Sequence, residues 1–475
     1  MPLTSFVFMG FAAVVFCSLL LVQKFICSKE LRQHIGKWIL LVSSYFFLAY
    51  ADVRFLLLLM LLTASSYMAV KKKKYGIGIT IALAMLFFFK YFNFFAESFS
   101  RLFGKDFVLL NIILPLGISF YTFSAVSYIM DAKNGKTSSG SLLDVGVYLA
   151  FFPKLTSGPI QKSRDFFKQL NSDRRIEWSS IAEGIQIFVF GLFKKIVLAD
   201  RLGVFVDQVY ETPSVFGSMT VLLAAAAYSL QIYFDFSGYS DMAIGTARTV
   251  GFDLPRNFNL PYVSHNVTEF WKRWHITLSS CLQEYLYFPL GGSRKGTART
   301  YENLLITMTC CGLWHGADWT FVFWGVLNGA ALAVHKIWMG ISGSSEKKHS
   351  AWSNAVSITV TFIFVTFSWI FFRAGSFSKA MTIITRIFSF KSGLEQPYLW
   401  LGFAAAALLT GTAAACFRNP SGQAVLKKMN FSRIDGFYPL LDLRKFWNLV
   451  VFFVFCGLIL MFAQTGGNPF IYGNF

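Results

Sequence analysis

Along the 475-residue chain, apolar residues come in long unbroken runs instead of short alternations. FVFMGFAAVVFCSLLLV, FLLLLMLLTASSYMAV, IGITIALAMLFFF and SITVTFIFVTFSWIFF are examples. Each approaches the roughly 20 residues that an α-helix needs to cross a hydrocarbon core. About ten to thirteen such windows can be drawn, several of them short or broken by Gly and Pro. The pattern predicts an all-α polytopic membrane protein. The first run lacks a basic start and a small-residue cleavage site, so it reads as a retained helix.

Composition agrees with this. Hydrophobic residues make up 55% of the chain and charged residues 14%, with 55 phenylalanines and a mean hydropathy of +0.53. Soluble domains carry about a quarter charged residues. Seven cysteines are an odd number, and Cys17, Cys310, Cys311, Cys416 and Cys456 fall in apolar runs, so no disulfide framework is expected. The net charge of +19 reads mainly as positive-inside topology and not as a nucleic-acid surface. Lys24 to Lys37, Lys71 to Lys74, and Lys133 with Lys136 then mark cytosolic loops, with the N-terminus outside. A basic cytosolic face also suits a polyanionic ligand.

The chain is expected to be one integral-membrane domain. Residues 1–110 read as scaffold helices, 111–340 as a polar-rich core and 341–475 as closing helices. FFRAGSFSKAMTIITRIF, with Arg373, Lys379 and Arg386, suggests an interfacial helix. Arg418 to Lys445 reads as a polar loop.

Chemistry is sought in the middle block. In YSLQIYFDFSGYSDMAIG, Asp235 and Asp241 each cost several kcal/mol at membrane depth unless paired, protonated or wet. Gln231, Asp235 and Gly238 share one face; Phe234, Asp241, Gly245 and Arg248 share another, which makes Arg248 the expected partner of Asp241. The plainer reading is polar glue between helices crossing closely at Gly238 and Gly245; the other is the wall of a cavity. Pro153 and Gly158-Pro159 in FFPKLTSGPIQKSRDF end or kink a helix, with Lys162 and Arg164 at an aqueous boundary. In SHNVTEFWKRWHITLSSCLQEYLYFPLGG, Asn266 and Glu269 resemble a helix start. Continued as one re-entrant or interfacial helix, it aligns Trp271, His275, Leu278 and Leu282, with Lys272 and Arg273 pointing away. Pro289, Gly291 and Gly292 stop it before Arg294 and Lys295.

Of six histidines, His34 and His349 lie in charged loops, His335 ends an apolar run, and His265 serves a helix start. His275 and His315 remain, each beside tryptophan, in WKRWH and GLWHGADW. A lone buried histidine is usually a satisfied core residue; two in one polar block point to chemistry. Burial keeps imidazole neutral and able to take a proton from a hydroxyl. No Gly-x-Ser-x-Gly elbow, HExxH or CxxC occurs, so neither a covalent acyl-serine nor a metal site is expected. Haem ligation by the two histidines stays open.

The ordered motifs LGISFYTFSAVSYIMD, FFPKLTSGPI, QIYFDFSGYSDMAIG, PYVSHNVTEFWKRWHITLS, YLYFPLGGSRKG, GLWHGADWTFVFWG and NPFIYGNF resemble the membrane-bound O-acyltransferase (MBOAT) family. The likeness is strongest from Leu116 to Gly329 and looks nearest to the alginate O-acetyltransferase branch, which has a bulkier residue at the place of Gly473. It implies a ring of tilted helices with re-entrant helices around a central tunnel, in the inner membrane. His315 falls on the family's catalytic histidine and His275 on its second histidine. An acyl group, expected to be acetyl, would pass from cytosolic acetyl-CoA or another acyl thioester to a hydroxyl of an exported or cell-surface polysaccharide. The route would run through an extracellular or periplasmic partner acyltransferase. Lys272, Arg273, Arg294 and Lys295 would hold the donor's phosphates, although topology explains them as well. Trp271, Trp314, Trp319, Asp235 and Asp241 would line the tunnel and keep water from the thioester. The alternative function is a transporter or flippase with no covalent step.

Overall fold

The computed structural model describes residues 1–173, 175–342, 350–395, 431–434, 438–463 and 471. His349, Cys416 and most of NPFIYGNF lie outside them. In chain order the helices are α1 (Phe6–Phe25), α2 (Lys29–Ala49), α3 (Val53–Lys71), α4 (Tyr75–Leu86), α5 (Phe92–Phe103), α6 (Ile118–Lys133), α7 (Leu142–Ala150), α8 (Ser163–Leu170) and α9 (Trp178–Phe193). They continue with α10 (Asp200–Glu211), α11 (Ser218–Thr249), α12 (Val267–Arg273), α13 (Ile276–Leu282), α14 (Thr297–His315), α15 (Trp319–Ser342), α16 (Ala351–Ala374) and α17 (Phe377–Phe388). Strands β1 (Phe431–Ile434) and β2 (Tyr438–Leu441) pair antiparallel where only a polar loop was expected, and α18 (Phe446–Phe462) follows.

Among the described residues, six helical stretches are long and apolar enough to cross a membrane, fewer than the apolar windows of the sequence. The difference arises where apolar runs break. The π-helical turns Phe87–Tyr91, Lys194–Ala199 and Gln283–Tyr287 interrupt three helices, and α7, α12 and α13 are too short to span. Helix starts follow their caps. Ser5, Ser28 and Asp52 accept the N–H groups of Phe8, Leu31 and Arg54, and Ser141 with Asp144 forms a reciprocal capping box.

The chain forms two compact units. The first comprises Met1–Phe188 with Tyr239–Arg256. Phe8, Phe11, Phe47 and Phe152 pack as one aromatic cluster in it. As the prolines predict, α7 stops at Ala150, and residues 151–161 run as irregular but almost wholly buried backbone. That backbone finds partners inside the protein: Tyr148 Oη donates to the Gln161 carbonyl at 2.8 Å, and Gln161 Nε2 donates to the Asp253 carbonyl at 3.0 Å. Gly184 of α9 and Gly245 of α11 cross in mutual contact, where an added Cβ on either would sit 2.5–2.7 Å from the other's carbonyl oxygen. Arg248 does not serve Asp241. It bonds Glu183 at 2.9 Å and Asp253, because the second turn of α9 and the turn after α11 bring those carboxylates closer than the helical neighbour.

The second unit comprises Val189–Gly238 with Asn257–Ile471. The extra residue in the π-turn Lys194–Ala199 turns Lys195 inward, where its Nζ bonds Asp200 and Asp235, each at 2.7 Å. Asp235 therefore carries a paired charge, and its second oxygen accepts the N–H of Ile471 at 2.9 Å. The C-terminal α18 seats Phe455 against Phe190 and Phe193. Helices α14 and α15 form the tightest element, an antiparallel hairpin. A Cβ at Gly312 would lie 2.2 Å from the Phe321 carbonyl, and one at Gly325 would lie 2.4 Å from the Met308 carbonyl.

Candidate active site

The hairpin's close seam fixes what its tip presents. α14 ends at His315, and after a three-residue turn Asp318 Oδ1 accepts the Thr320 N–H at 2.7 Å at the start of α15. Trp314 and Trp324 thereby flank the His315 ring, with centroids 4.9 and 5.3 Å away, and Phe372 of α16 closes a third side at 5.2 Å.

His275 reaches the same place from a second break. The single helix expected through Trp271, His275 and Leu278 does not form. Instead α12 ends at Arg273 and α13 begins at Ile276, with His275 between them in the left-handed region at φ 42°, ψ 53°. A neighbouring strand of backbone wins over helical continuity: the Ile276 N–H donates to the Asn257 carbonyl and the Asn259 N–H to the Arg273 carbonyl, both at 2.9 Å. The start is as read from sequence. Asn266 Oδ1 accepts the Glu269 N–H at 2.8 Å, while Glu269 Oε2 takes the N–H of His265.

The His275 and His315 rings lie 6.5 Å apart, and Trp314 touches both. Their exposures are 0% and 1%, so neither ring is open to solvent. Asn257 Oδ1 accepts from Thr277 Oγ1 at 2.6 Å and lies 3.3 Å from His275 Nδ1. An oxygen only accepts, so Nδ1 carries the proton there and Nε2 keeps the lone pair. Burial pushes the His275 pKa down to about 3, which holds the ring neutral. Trp274, Trp324, Trp369 and Phe372 continue the aromatic shell, Phe236 packs edge-on to His275 at 4.7 Å, and Trp271 donates to Asn328 Oδ1 at 3.3 Å.

The other residues singled out from sequence fall in different places. Trp319 is 51% exposed at the start of α15 and is not enclosed like Trp271 and Trp314. Asp235 adjoins Phe236 but is engaged by Lys195, and Asp241 lies buried in the first unit. Arg273 is held internally by Glu269 at 2.8 Å and by the Asn259 carbonyl at 3.0 Å. Lys272, Arg294 and Lys295 are exposed. Lys336, which sequence reading passed over, bonds Ser293 at 3.0 Å beside Arg294, and its neighbour His335 bonds Thr268 at 2.9 Å, one turn before Lys272. Among the described residues no cluster of His, Cys, Asp and Glu could hold a metal ion. A cleft of about 100 Å³ in the first unit, between Gln23, Arg32, Lys37, Ile176 and Phe252, has its charges paired to Asp173 and Asp144 and presents no reactive group.

Asn257, Trp324, Trp369 and Phe372 were missed by sequence reading. TFVFWG held Trp324 as one more aromatic in an apolar run, and nothing near RNFN distinguishes Asn257 from a loop asparagine.

These features define a multi-pass helical membrane protein with two buried histidines enclosed at the tips of broken helices. The model of the MBOAT, membrane-bound O-acyltransferase, family matches residues 36–388. The probable alginate O-acetylase AlgI of Pseudomonas putida is 36% identical over 469 residues, covering 92% of this chain and 94% of that protein. The peptidoglycan O-acetyltransferase of Helicobacter pylori is 36% identical over 383 residues, 73% of this chain and 72% of its own. A teichoic acid D-alanyltransferase of Streptococcus thermophilus is 28% identical over 288 residues, 54% of this chain and 68% of its own. The chain belongs to the membrane-bound O-acyltransferase family, and it is an O-acyltransferase.

Proposed function

We propose that this enzyme moves an acyl group, acetyl by preference, from a cytosolic acyl thioester such as acetyl-CoA toward a hydroxyl of an exported or cell-surface polysaccharide. An outer-face partner protein completes the route, and the enzyme sits in the inner membrane. The names of the relatives support the acetyl group and the polysaccharide class. The observation that carries the chemistry is the pair of imidazoles 6.5 Å apart inside an aromatic shell.

In the reaction, His315 takes the proton of the acceptor hydroxyl as its oxygen bonds to the thioester carbonyl carbon. The C–S bond then breaks, the thiolate takes that proton back from the imidazolium, and the free thiol leaves. His315 returns to its neutral form, and base catalysis of this kind contributes about 10²–10⁴-fold. His275, held by Asn257, orients the donor or acceptor or relays the proton. The aromatic shell excludes the water that would hydrolyse the thioester, and it parts to admit substrates.

The exposed cations Lys272, Arg294, Lys295 and Lys336 suit the phosphates of CoA. Along α15, Lys336 and Trp324 are separated by about 18 Å at 1.5 Å per residue, the kind of span that the pantetheine arm covers between phosphates and sulfur. The test is His315→Ala in membranes with matched protein abundance, following surface-glycan O-acetylation and release of free CoA. Both should fall by two or more decades, about the scale of a lost base. Retained acetylation defeats the assignment, and transport without CoA release defeats the acyl-transfer reading of this chain.

A further inference from the structure

On a face of α11 distinct from the one that meets His275, two helices of the second unit face each other with matched polar rows. α10 carries Asp200 and Asp207, and α11 carries Tyr228 and Asp235; each pair is seven residues apart and so on one face of its helix. The rows run antiparallel. Tyr210, one turn past Asp207, meets Tyr228 with ring centroids 5.9 Å apart, while Lys195 ties Asp200 to Asp235. Gln231 lies between Tyr228 and Asp235 on the same face. Seven residues of helix make the row about 10 Å long.

Its two ends differ. At one, Arg373 and Asp207 pair at 2.5 Å with side chains 37% and 46% exposed. At the other, Lys195 and Asp235 are 7% and 2% exposed. Between them, and among the described residues, Tyr210 Oη, Tyr228 Oη and Gln231 Oε1 have no hydrogen-bond partner, although these residues are 3%, 0% and 6% exposed. Tyr228 lies two helical turns before Asp235 on α11 and against Tyr210, one turn past Asp207 on α10, so it stands between the two ends. Three orphaned polar atoms along one seam are costly if dry. Helix-to-helix glue would have satisfied them from across the interface. Buried polar groups lacking protein partners are commonly met by ordered water.

We propose that the α10–α11 seam holds a file of water molecules and links the aqueous boundary at Asp207–Arg373 to the buried Lys195–Asp235 pair. Water there bonds the two tyrosine hydroxyls and Gln231, and gives Asp235 a route for proton exchange with bulk solvent. The histidine chamber meets another face of α11, where Phe236, turned about 100° from Asp235, packs against His275.

Silver ion, a thiol probe of about the size of water, tests it in the full-length protein. Gln231→Cys places a thiol in the seam. Ser229→Cys places one on a different face, turned about 100° from Tyr228, where the serine hydroxyl already bonds Thr366 at 2.9 Å. With the labelling of the unsubstituted protein subtracted, the thiol at 231 should react about tenfold faster or more, since a thiol in apolar packing stays protonated and inert. Equal rates overturn the proposal. Should Gln231→Cys fail to accumulate, Tyr228→Phe decides. Loss of a water-bonded hydroxyl lowers the thermal midpoint, whereas an unchanged or raised midpoint shows a dry seam.

Discussion

The contact between Asn257 and His275 makes a quantitative claim about pH. Burial alone holds His275 near pKa 3, so its protonation does not limit activity at pH 5–8. Asn257→Asp keeps the acceptor oxygen 3.3 Å from Nδ1 and adds a full negative charge. At an effective dielectric constant of about 20, unit charges at that separation interact by about 5 kcal/mol, a ceiling equivalent to between three and four pKa units. The new carboxylate is itself partly desolvated, and comparable buried pairs shift by about 1–3 units. His275 should therefore titrate between about 4 and 6 in the variant, and an acid limb should appear in kcat/KM for thioester cleavage. Asn257→Ala should lower the rate by about one to two decades with no such limb, the scale expected for loss of an orienting partner. Free thiol release, followed from pH 4.5 to 8 in detergent-purified protein, reads both. If Asn257→Asp and the unsubstituted enzyme share one profile over that range, residue 257 does not face His275 as described.

Two further outcomes follow from packing. Lys195→Met leaves Asp235 charged and buried, which should cost about 3–5 kcal/mol, while adding Asp235→Leu should recover most of it; chemical denaturation in micelles measures both, and a double variant no more stable than the single one contradicts the pairing. Gly325→Ala puts a methyl group 2.4 Å from the Met308 carbonyl and must open the hairpin at its seam. A displacement near 1 Å at a reacting group costs on the order of 10²-fold in rate. Gly340→Ala in the same helix meets nothing within 4 Å and should leave thiol release unchanged.

The parts of this molecule that sequence made legible are those where one residue decides the local outcome. Pro153 stops α7 and Pro159 keeps the following backbone out of a helix, and tryptophans beside His275 and His315 mark both rings. What stayed hidden depends on residues far apart in the chain. The stripe through Trp271, His275 and Leu278 fits a helix well, and only backbone from Asn257 and Asn259 breaks it. Asp235 finds Lys195 through a π-turn forty residues earlier, a local insertion with no sequence mark. Arg248 was matched to Asp241 by helical spacing, but a carboxylate 65 residues back lies nearer. Helical periodicity specifies which residues share a face; it is silent about what faces them.

The left-handed backbone at His275 bears on how its chemistry should be probed. At φ 42° an alanine pays for its Cβ without any side-chain bond in return, so His275→Ala would alter the turn and remove the ring together. Asparagine is among the few residues that settle readily into that conformation and keeps a polar group near Asn257. Activity lost in His275→Asn while the α12–α13 corner survives would belong to the imidazole alone, a separation that no alanine scan of this site provides.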